Sequence, residues 1–264
     1  MSILELFKLD GKVAIVTGAG AGMGRAVARA LAAEGAGVCV FDANGDDAEA
    51  VAKQIESDDG AAIAFTGDVR SADDSAGAVR KATAAFGGLD YVVNNAGVNR
   101  YGTVTDISED DWDFIVDTNV KGCFLLVKHA IPAMRERGGG AIVNTASVQA
   151  FAAQQTVPAY AASKGAVVSL TSALAMDHAK DGIRVNCIAP GSVRTPMLRH
   201  AAETFSDRDP DAVMEEWGAM HPVGFLTEPE DVAKLVLFLL SDDARTITGA
   251  CFRIDGGLLS KLGV

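Results

Sequence analysis

Seven short runs of apolar and β-branched residues alternate along this chain with longer segments of helical periodicity. Such alternation is typical of βαβ units, in which a helix crosses over between two parallel strands. The short runs predict strands at residues 13–17, 38–42, 61–66, 91–94, 141–145, 184–188 and 251–254. The longer segments predict helices at residues 24–34, 46–57, 71–86, 109–137, 158–180 and 229–240.

Right-handed crossovers place helices on both faces of such a sheet. The sequence therefore predicts an α/β fold with a doubly wound, seven-stranded parallel sheet of the Rossmann type. A length of 264 residues, 49% of them hydrophobic, suits one sizeable core, so we expect a single domain over residues 1–264. Residues 196–222 break the alternation, with weak helical character and no obvious strand. We expect this irregular insertion to be a substrate lid, with a disordered connection as the alternative.

Charge and composition exclude several other classes of protein. The net charge of −12, without any run of Lys or Arg, argues against a nucleic-acid partner. The longest apolar stretch, residues 235–240, is too short to cross a bilayer, and residues 1–10 contain Glu5 and Asp10 where a targeting segment would be basic. The histidines form no His-Glu-x-x-His helix, and no Cys-x-x-Cys pair occurs. We therefore expect a cytoplasmic protein without a membrane or metal site.

A glycine-rich segment, Thr17-Gly18-Ala19-Gly20-Ala21-Gly22-Met23-Gly24, directly follows the first predicted strand and opens the first helix. Glycine lets the backbone approach a pyrophosphate, and the unpaired amides at the helix start favour an anion. The spacing differs from the common Gly-x-Gly-x-x-Gly, but the strand-turn-helix setting favours a dinucleotide cradle over a mere tight connection. The expected cofactor contacts in this segment are Gly18, Gly20, Gly22, Met23 and Gly24.

An acidic residue, Asp42, ends the second predicted strand eighteen residues beyond Gly24. A dinucleotide-binding fold places a carboxylate there against the adenosine ribose. Asp42 would accept hydrogen bonds from the ribose diol and repel a 2′-phosphate, and neither Ala19 nor Ala43 supplies a compensating cation. The sequence thus predicts NAD as cofactor in preference to NADP, although Asp42 could instead only cap the following turn.

Tyr160 and Lys164 are four residues apart in a predicted helix, and Ser147 precedes Tyr160 by thirteen residues. Side chains at this spacing share a helix face, so a phenol and an ammonium can lie side by side. A nearby positive charge favours the phenolate, which makes the pair a candidate general acid/base. Taken alone, both residues are also common on exposed helix faces.

Together, several segments resemble the short-chain dehydrogenase/reductase family. They are Thr-Gly-x-x-x-Gly-x-Gly at residues 17–24, Asn94-Asn95-Ala96-Gly97, Ser147, Tyr160-x-x-x-Lys164 and Pro190-Gly191. The segments follow successive predicted strands in the family's order and span nearly the whole chain. The resemblance implies an oxidoreductase that transfers hydride between NAD(H) and a secondary alcohol or ketone.

The resemblance also implies a role for each matching residue. Tyr160 would transfer the proton, Lys164 would support it and bind the nicotinamide ribose, and Ser147 would hydrogen-bond the reacting substrate oxygen. Asn119 would complete a catalytic tetrad by holding a water near the lysine. The implied cofactor contacts, besides Tyr160 and Lys164, are Asp68, Val69, Asn95, Ala96, Gly97, Pro190, Gly191, Val193 and Thr195. The family's usual assembly implies a homotetramer, or a dimer, built on the helices at 109–137 and 158–180.

Substrate identity depends on loop residues that the resemblance does not fix. The residues expected to contact substrate are Ser147, Gln149, Gln155, Tyr160 and Arg194. Amides suit a molecule with many hydroxyls, so they favour a sugar or polyol. A 3-oxoacyl thioester or a steroid-like ketone remains open, as does a protein of another class that senses NAD(H) without catalysis.

Overall fold

The computed structural model describes residues 7–261. Residues 1–6, which include Glu5 of the segment considered for targeting, and residues 262–264 of the predicted domain lie outside the described residues. Within the described part, none of the helices is long and apolar enough to span a bilayer.

Seven parallel strands form a single sheet in the order β3-β2-β1-β4-β5-β6-β7. The strands are β1 Val13–Thr17, β2 Gly37–Asp42, β3 Ala61–Thr66, β4 Tyr91–Asn94, β5 Gly140–Thr145, β6 Ile183–Pro190 and β7 Cys251–Ile254. The predicted strands and the doubly wound fold are confirmed. The strand order reverses between β1 and β4, and such a switch point opens a ligand crevice at the carboxyl ends of the strands.

Helices cover both faces of the sheet. They are α1 Gly22–Ala33, α2 Gly45–Ser57, α3 Ala72–Phe86, α4 Glu109–Val116, α5 Gly122–Glu136, α6 Pro158–His178, α7 Pro196–Phe205, α8 Pro210–Ala219 and α9 Pro229–Leu240. The core divides by face because successive strand side chains point in opposite directions. Val16 packs among residues of α1, α2 and α9, whereas Ile15 packs among residues of α3, α5 and α6.

Two helical regions differ from the sequence-based expectation. The helix predicted at 109–137 contains a π-helical turn, Asp117–Lys121, between α4 and α5. The segment 196–222 is not irregular, because it folds into α7 and α8. Thr195 caps α7 by accepting a hydrogen bond from Leu198 N, and Asp209 caps α8, with a proline in the first turn of each helix.

Helices α7 and α8 have a small apolar core of their own. Ala202, Val213, Met214 and Leu226 are buried in it, and Trp217 packs against them. The segment is therefore a folded helix pair, positioned just after β6 at the carboxyl end of the sheet.

Candidate active site

The glycine-rich turn after β1 is held against the loop after β4. Thr17 Oγ1 accepts hydrogen bonds from the backbone N–H groups of Asn95 and Ala96, both at 3.0 Å. Asn95 Nδ2 donates to the carbonyl of Gly18 at 3.2 Å. A Cβ at Gly18 would lie 2.9 Å from Ala96 Cα, and one at Gly24 would lie 2.1 Å from Gly18 O. Larger residues would therefore force the two loops apart at the switch point.

A cavity of about 270 Å³ extends from this turn towards the end of β2. It brings together several of the predicted cofactor contacts. Its lining includes Gly18, Asp42, Asp68, Val69, Ala96 and Gly97. The lining also includes residues that the sequence analysis missed, namely Phe41, Ala43, Gly67, Arg70, Val98, Phe114 and Thr118. Thr118 directly precedes the predicted Asn119, but nothing in the sequence pattern distinguishes it.

Two acidic residues, Asp42 and Asp68, line this cavity. Asp42 Oδ2 accepts a 2.8 Å hydrogen bond from Gly20 N, and its Oδ1 accepts one from Asn44 N at 2.9 Å. Asp42 therefore both fixes the glycine turn and caps the turn after β2. The Arg70 guanidinium hydrogen-bonds Asp68 and lowers the pKa of that carboxyl. The one arginine in the cavity wall is thus already paired with a carboxylate.

A second cavity, of about 70 Å³, lies between the glycine-rich segment and the candidate catalytic residues. Its lining is Met23, Asn95, Gly97, Thr145, Ala146, Ser147, Tyr160, Lys164, Pro190 and Met197. Thr145 Oγ1 there, like Thr118 Oγ1 in the first cavity, is buried without a hydrogen-bond partner. The glycine cradle, the acid at the end of β2 and the unpaired buried hydroxyls of Thr118 and Thr145 fit an extended dinucleotide.

Tyr160 and Lys164 lie one turn apart on α6, and Ser147 follows β5. The side chain of Lys164 is only 3% exposed, and its Nζ donates a 2.8 Å hydrogen bond to the carbonyl of Thr145. Burial lowers the pKa of Lys164 to about 8. Burial also raises the pKa of Tyr160, and a hydrogen bond with Ser147 opposes that increase. The structure thus brings the three predicted residues together.

Asn119 lies within the π-helical turn and is 1% exposed. Its Oδ1 accepts from Val98 N at 2.8 Å, and its Nδ2 donates to Val98 O and Ser163 Oγ, both at 3.0 Å. A Cβ at Gly97 would lie 3.4 Å from Asn119 Oδ1 and 3.3 Å from Lys164 Nζ. Asn119 therefore joins the loop after β4 to α6 beside the lysine, and π turns are frequent at functional sites.

The segment after β6 is held by residues from the α7–α8 region. Ser192 N donates to His221 Nε2 at 3.3 Å, and His221 Nδ1 donates to Trp217 O at 2.9 Å. His221 is buried, with only 3% of its surface exposed. It ties α8 to the segment 190–195, which contains the predicted contacts Pro190, Gly191, Val193 and Thr195. Of these, Pro190 lines the small cavity described above.

The largest cavity beside Ser147 and Tyr160 has a volume of about 580 Å³. Gln149 lines it, as predicted, together with Val193 and Thr195. Gln155 and Arg194, also expected to contact substrate, do not line it. Arg194 instead pairs with Glu215 at 2.7 Å and with Glu228 at 3.0 Å. The sequence could not reveal this, because both partners lie more than twenty residues further along the chain.

Other wall residues were not named individually from the sequence, although three of them lie in the segment 196–222 that was expected to be a substrate lid. They include Tyr101 from the loop after β4, Phe205 from α7, Trp217 and Met220 from α8 and its carboxyl end, and Leu258. Among residues 7–261, no group of three or more His, Cys, Asp or Glu side chains is arranged to hold a metal ion.

Comparison with known proteins agrees with this architecture. The family model described as enoyl-(acyl carrier protein) reductase matches residues 18–259. A cyclohexanol dehydrogenase from Acinetobacter sp. is 37% identical over 255 residues, which cover 96% of this chain and 97% of that protein.

Two solved structures share the fold closely. A short-chain type dehydrogenase/reductase from Mycobacterium marinum superposes with a TM-score of 0.91 at 36% identity, covering 98% of this chain and 100% of that one. L-sorbose reductase from Gluconobacter frateurii, complexed with NADPH and L-sorbose, gives a TM-score of 0.92 at 30% identity, covering 97% and 100%.

Proposed function

This chain belongs to the short-chain dehydrogenase/reductase family, and we propose that Tyr160 is its proton-transferring residue and NAD(H) its preferred cofactor. It is an oxidoreductase that acts on secondary alcohols and ketones. The observation that carries the proposal is the cluster of Ser147, Tyr160 and Lys164 beside the glycine turn, at the switch point of the sheet.

The side chains of this cluster suit acid/base chemistry at an alcohol oxygen. Ser147 and Tyr160 both line the large cavity, so both hydroxyls can hydrogen-bond one substrate oxygen. In the oxidative direction Tyr160 accepts the hydroxyl proton, and in the reductive direction it returns a proton to the carbonyl oxygen. The glycine turn and Asp42 would hold NAD, which would supply the hydride acceptor for oxidation of the alcohol carbon to a ketone.

The remaining residues of the cluster position Tyr160 and stabilise charge. Lys164 is anchored to Thr145 O, and its ammonium favours the phenolate form of Tyr160. Asn119 holds the loop after β4 against α6 through Val98 and Ser163. Met23, Asn95, Gly97 and Pro190, which line the small cavity, would enclose the nicotinamide end of the cofactor.

The preference for NAD rests on Asp42. Its carboxylate borders the cavity beside Ala43, where a ribose diol can donate to it and a 2′-phosphate would be repelled. Arg70 is paired with Asp68 and therefore offers little free charge to a phosphate. The related L-sorbose reductase was solved with NADPH, so the preference for NAD is proposed for this chain alone.

We also propose a cytoplasmic homotetramer, with a dimer as the alternative assembly. On α6, Ala162, Ala166 and Ala173 are exposed, and Met176 is 67% exposed. On α5, Phe124 is 47% exposed. Small residues let helices approach closely, and exposed apolar groups favour association. A monomeric mass in light scattering would contradict both assemblies, and cell fractionation tests the location.

Replacement of Ser147 by Ala tests the proposed site. The variant should lose on the order of 10²–10³ in kcat, because one hydrogen bond to the reacting oxygen is removed, while the affinity for NAD stays the same. Ser169→Ala, an exposed serine on the same helix as Tyr160, is the matched control and should keep wild-type turnover. Equal activity of the Ser147 and Ser169 variants would refute the role of Ser147.

A further inference from the structure

The walls of the 580 Å³ cavity are mainly apolar, in contrast to the amide-rich surface expected from the sequence. The large side chains are Tyr101, Met197, Phe205, Trp217 and Met220. Tyr101 and Phe205 pack edge to face, with ring centroids 4.7 Å apart, and this contact joins the loop after β4 to the end of α7. The helix pair α7–α8 therefore contributes aromatic side chains to the cavity wall.

Several polar groups in the wall are already paired with protein atoms. Gln149 Nε2 donates to Gln154 Oε1 at 3.2 Å, and Gln149 Oε1 accepts from Gln154 N at 3.0 Å. Thr195 Oγ1 donates to Val193 O at 3.2 Å and accepts from Leu198 N at 3.3 Å as the cap of α7. Gln149 is thus largely satisfied by Gln154, whereas Asn99 Oδ1, also in the wall, is buried without a hydrogen-bond partner.

Charge is also missing from the wall. No Asp, Glu, Lys or Arg lines the cavity within the described part of the chain. Arg194, the cation that the sequence suggested as a substrate contact, is held by Glu215 and Glu228. A carboxylate, sulfonate or phosphate on the substrate would therefore be desolvated in this cavity without a counter-ion, which is strongly unfavourable.

Apolar surface at the cavity is still exposed to solvent. Met197, Phe205 and Met220 are 44%, 45% and 54% exposed. A bound apolar molecule would cover part of these side chains, and the removal of apolar surface from water favours binding. A hydroxyl placed against these three side chains would lose its hydrogen bonds to water, at a cost of roughly tenfold in affinity for each unmatched group.

We propose, on the basis of the function proposed above, that the substrate is an uncharged, apolar secondary alcohol or its ketone, with an alicyclic or aryl group as its main body. Ser147 and Tyr160 bind its single reacting oxygen, and the aromatic and methionine side chains bind its hydrocarbon part. The related cyclohexanol dehydrogenase has a substrate of this class in its name, whereas the structurally similar L-sorbose reductase has a polyhydroxy ketone. The cavity wall of this chain favours the first class.

A substrate panel with NAD tests the proposal. Cyclohexanol and 1-phenylethanol represent the proposed class, sorbitol represents polyols, and 3-hydroxybutyrate and a 3-hydroxyacyl thioester represent anionic and carrier-linked substrates. The apolar alcohols should exceed sorbitol and 3-hydroxybutyrate in kcat/KM by about 10² or more, because several hydroxyls or a charge would be unmatched in the cavity.

Variants of Met197 link the preference to the wall. Met197→Gln keeps the length of the side chain and adds an amide, so kcat/KM for cyclohexanol should fall about fivefold to tenfold, mainly through KM. Met197→Leu keeps the wall apolar, so its kcat/KM for cyclohexanol should fall less than that of Met197→Gln. A greater loss in the leucine variant would contradict the assignment of this wall to the hydrocarbon part of the substrate.

The panel separates failure of the substrate class from failure of the proposed function. Higher kcat/KM for sorbitol, 3-hydroxybutyrate or the thioester would overturn the apolar class and leave the oxidoreductase chemistry of Ser147 and Tyr160 intact. Absence of NADH formation with every alcohol, and of NADH consumption with every corresponding ketone, would overturn the proposed function and this inference with it.

Discussion

The ammonium nitrogen of Lys164 lies 5.4 Å from the centroid of the Tyr160 ring, one turn away on the same helix. Burial lowers the pKa of Lys164 to about 8 and raises that of Tyr160 above its ordinary value of 10.0. Because the lysine loses its proton before the tyrosine does, the form with both an ammonium and a phenolate is a minor form of the free protein.

Binding of NAD should lower the pKa of Tyr160. The oxidised nicotinamide is positively charged, and a nearby positive charge favours the phenolate. Ultraviolet absorbance near 295 nm measures the phenolate. Burial raises the pKa of Tyr91 to about 12 and also raises that of Tyr101, so the signal between pH 7 and 10 should come from Tyr160.

The rate of alcohol oxidation should rise with pH through the lowered pKa, because oxidation needs the phenolate, and ketone reduction should fall over the same range. The absorbance change on adding NAD should be absent in Tyr160→Phe. Identical titration curves with and without NAD would contradict the dependence on cofactor.

Replacement of Lys164 by Met should abolish turnover but stabilise the fold at neutral pH. The shift of the lysine pKa from 10.5 to about 8 corresponds to about 3 kcal/mol of unfavourable burial of the charged form. Loss of the hydrogen bond to Thr145 O offsets part of this, so we expect a net gain of about 1–2 kcal/mol in the free energy of unfolding.

The effect of Lys164→Met on the free energy of unfolding should depend on pH. The folded protein binds fewer protons than the unfolded chain between pH 8 and 10.5, so wild-type stability rises with pH across that window and the gain from Lys164→Met disappears. Urea unfolding at pH 7 and pH 10.5 measures both effects. The exposed Lys53→Met variant is the control and should show neither. If Lys164→Met were less stable than wild type at pH 7, burial of the Lys164 ammonium would not be destabilising.

Asp42→Asn should weaken the selectivity for NAD over NADP by about tenfold or more. The substitution removes the charge that repels a 2′-phosphate and keeps one of the two oxygens that accept from backbone N–H groups. The measurement is the ratio of kcat/KM values for the two cofactors. Asp46→Asn, an exposed acid in the first turn of α2, is the control and should leave the ratio unchanged. Wild-type preference for NADP, or an unchanged ratio in Asp42→Asn, would contradict the ribose role.

The resemblance to the family implied the grouping of Ser147, Tyr160 and Lys164, and two placements support it: Ser147 follows a strand end, and residues four apart share a helix face. Gly18 and Asp42 follow the same logic, since each stands at a strand end in a βαβ unit. The bounds of the strands were correct within one or two residues for the same reason, namely that buried apolar runs in a parallel sheet are short and continuous.

Contacts between distant segments could not be predicted in this way. The helices α7 and α8 had start signals in Thr195-Pro196 and Asp209-Pro210, but the many charged residues of the segment obscured them in the sequence. The pairing of Gln149 with Gln154 depends on the shape of the loop after β5, and that of Arg194 with Glu215 depends on how α8 returns to the sheet. Both determine the character of the cavity wall, which is why the sequence overestimated its polarity.

The most direct test of the account is the Tyr160→Phe variant, which removes only the phenolic hydroxyl. Isothermal titration should give a Kd for NAD within a few-fold of wild type, because the glycine turn, Asp42 and Lys164 are unchanged. NADH formation from cyclohexanol, or from the best alcohol found, should fall by at least 10²–10⁴, the usual contribution of a positioned acid/base. Turnover near the wild-type rate with NAD bound would contradict the assignment of Tyr160 as the proton-transferring residue.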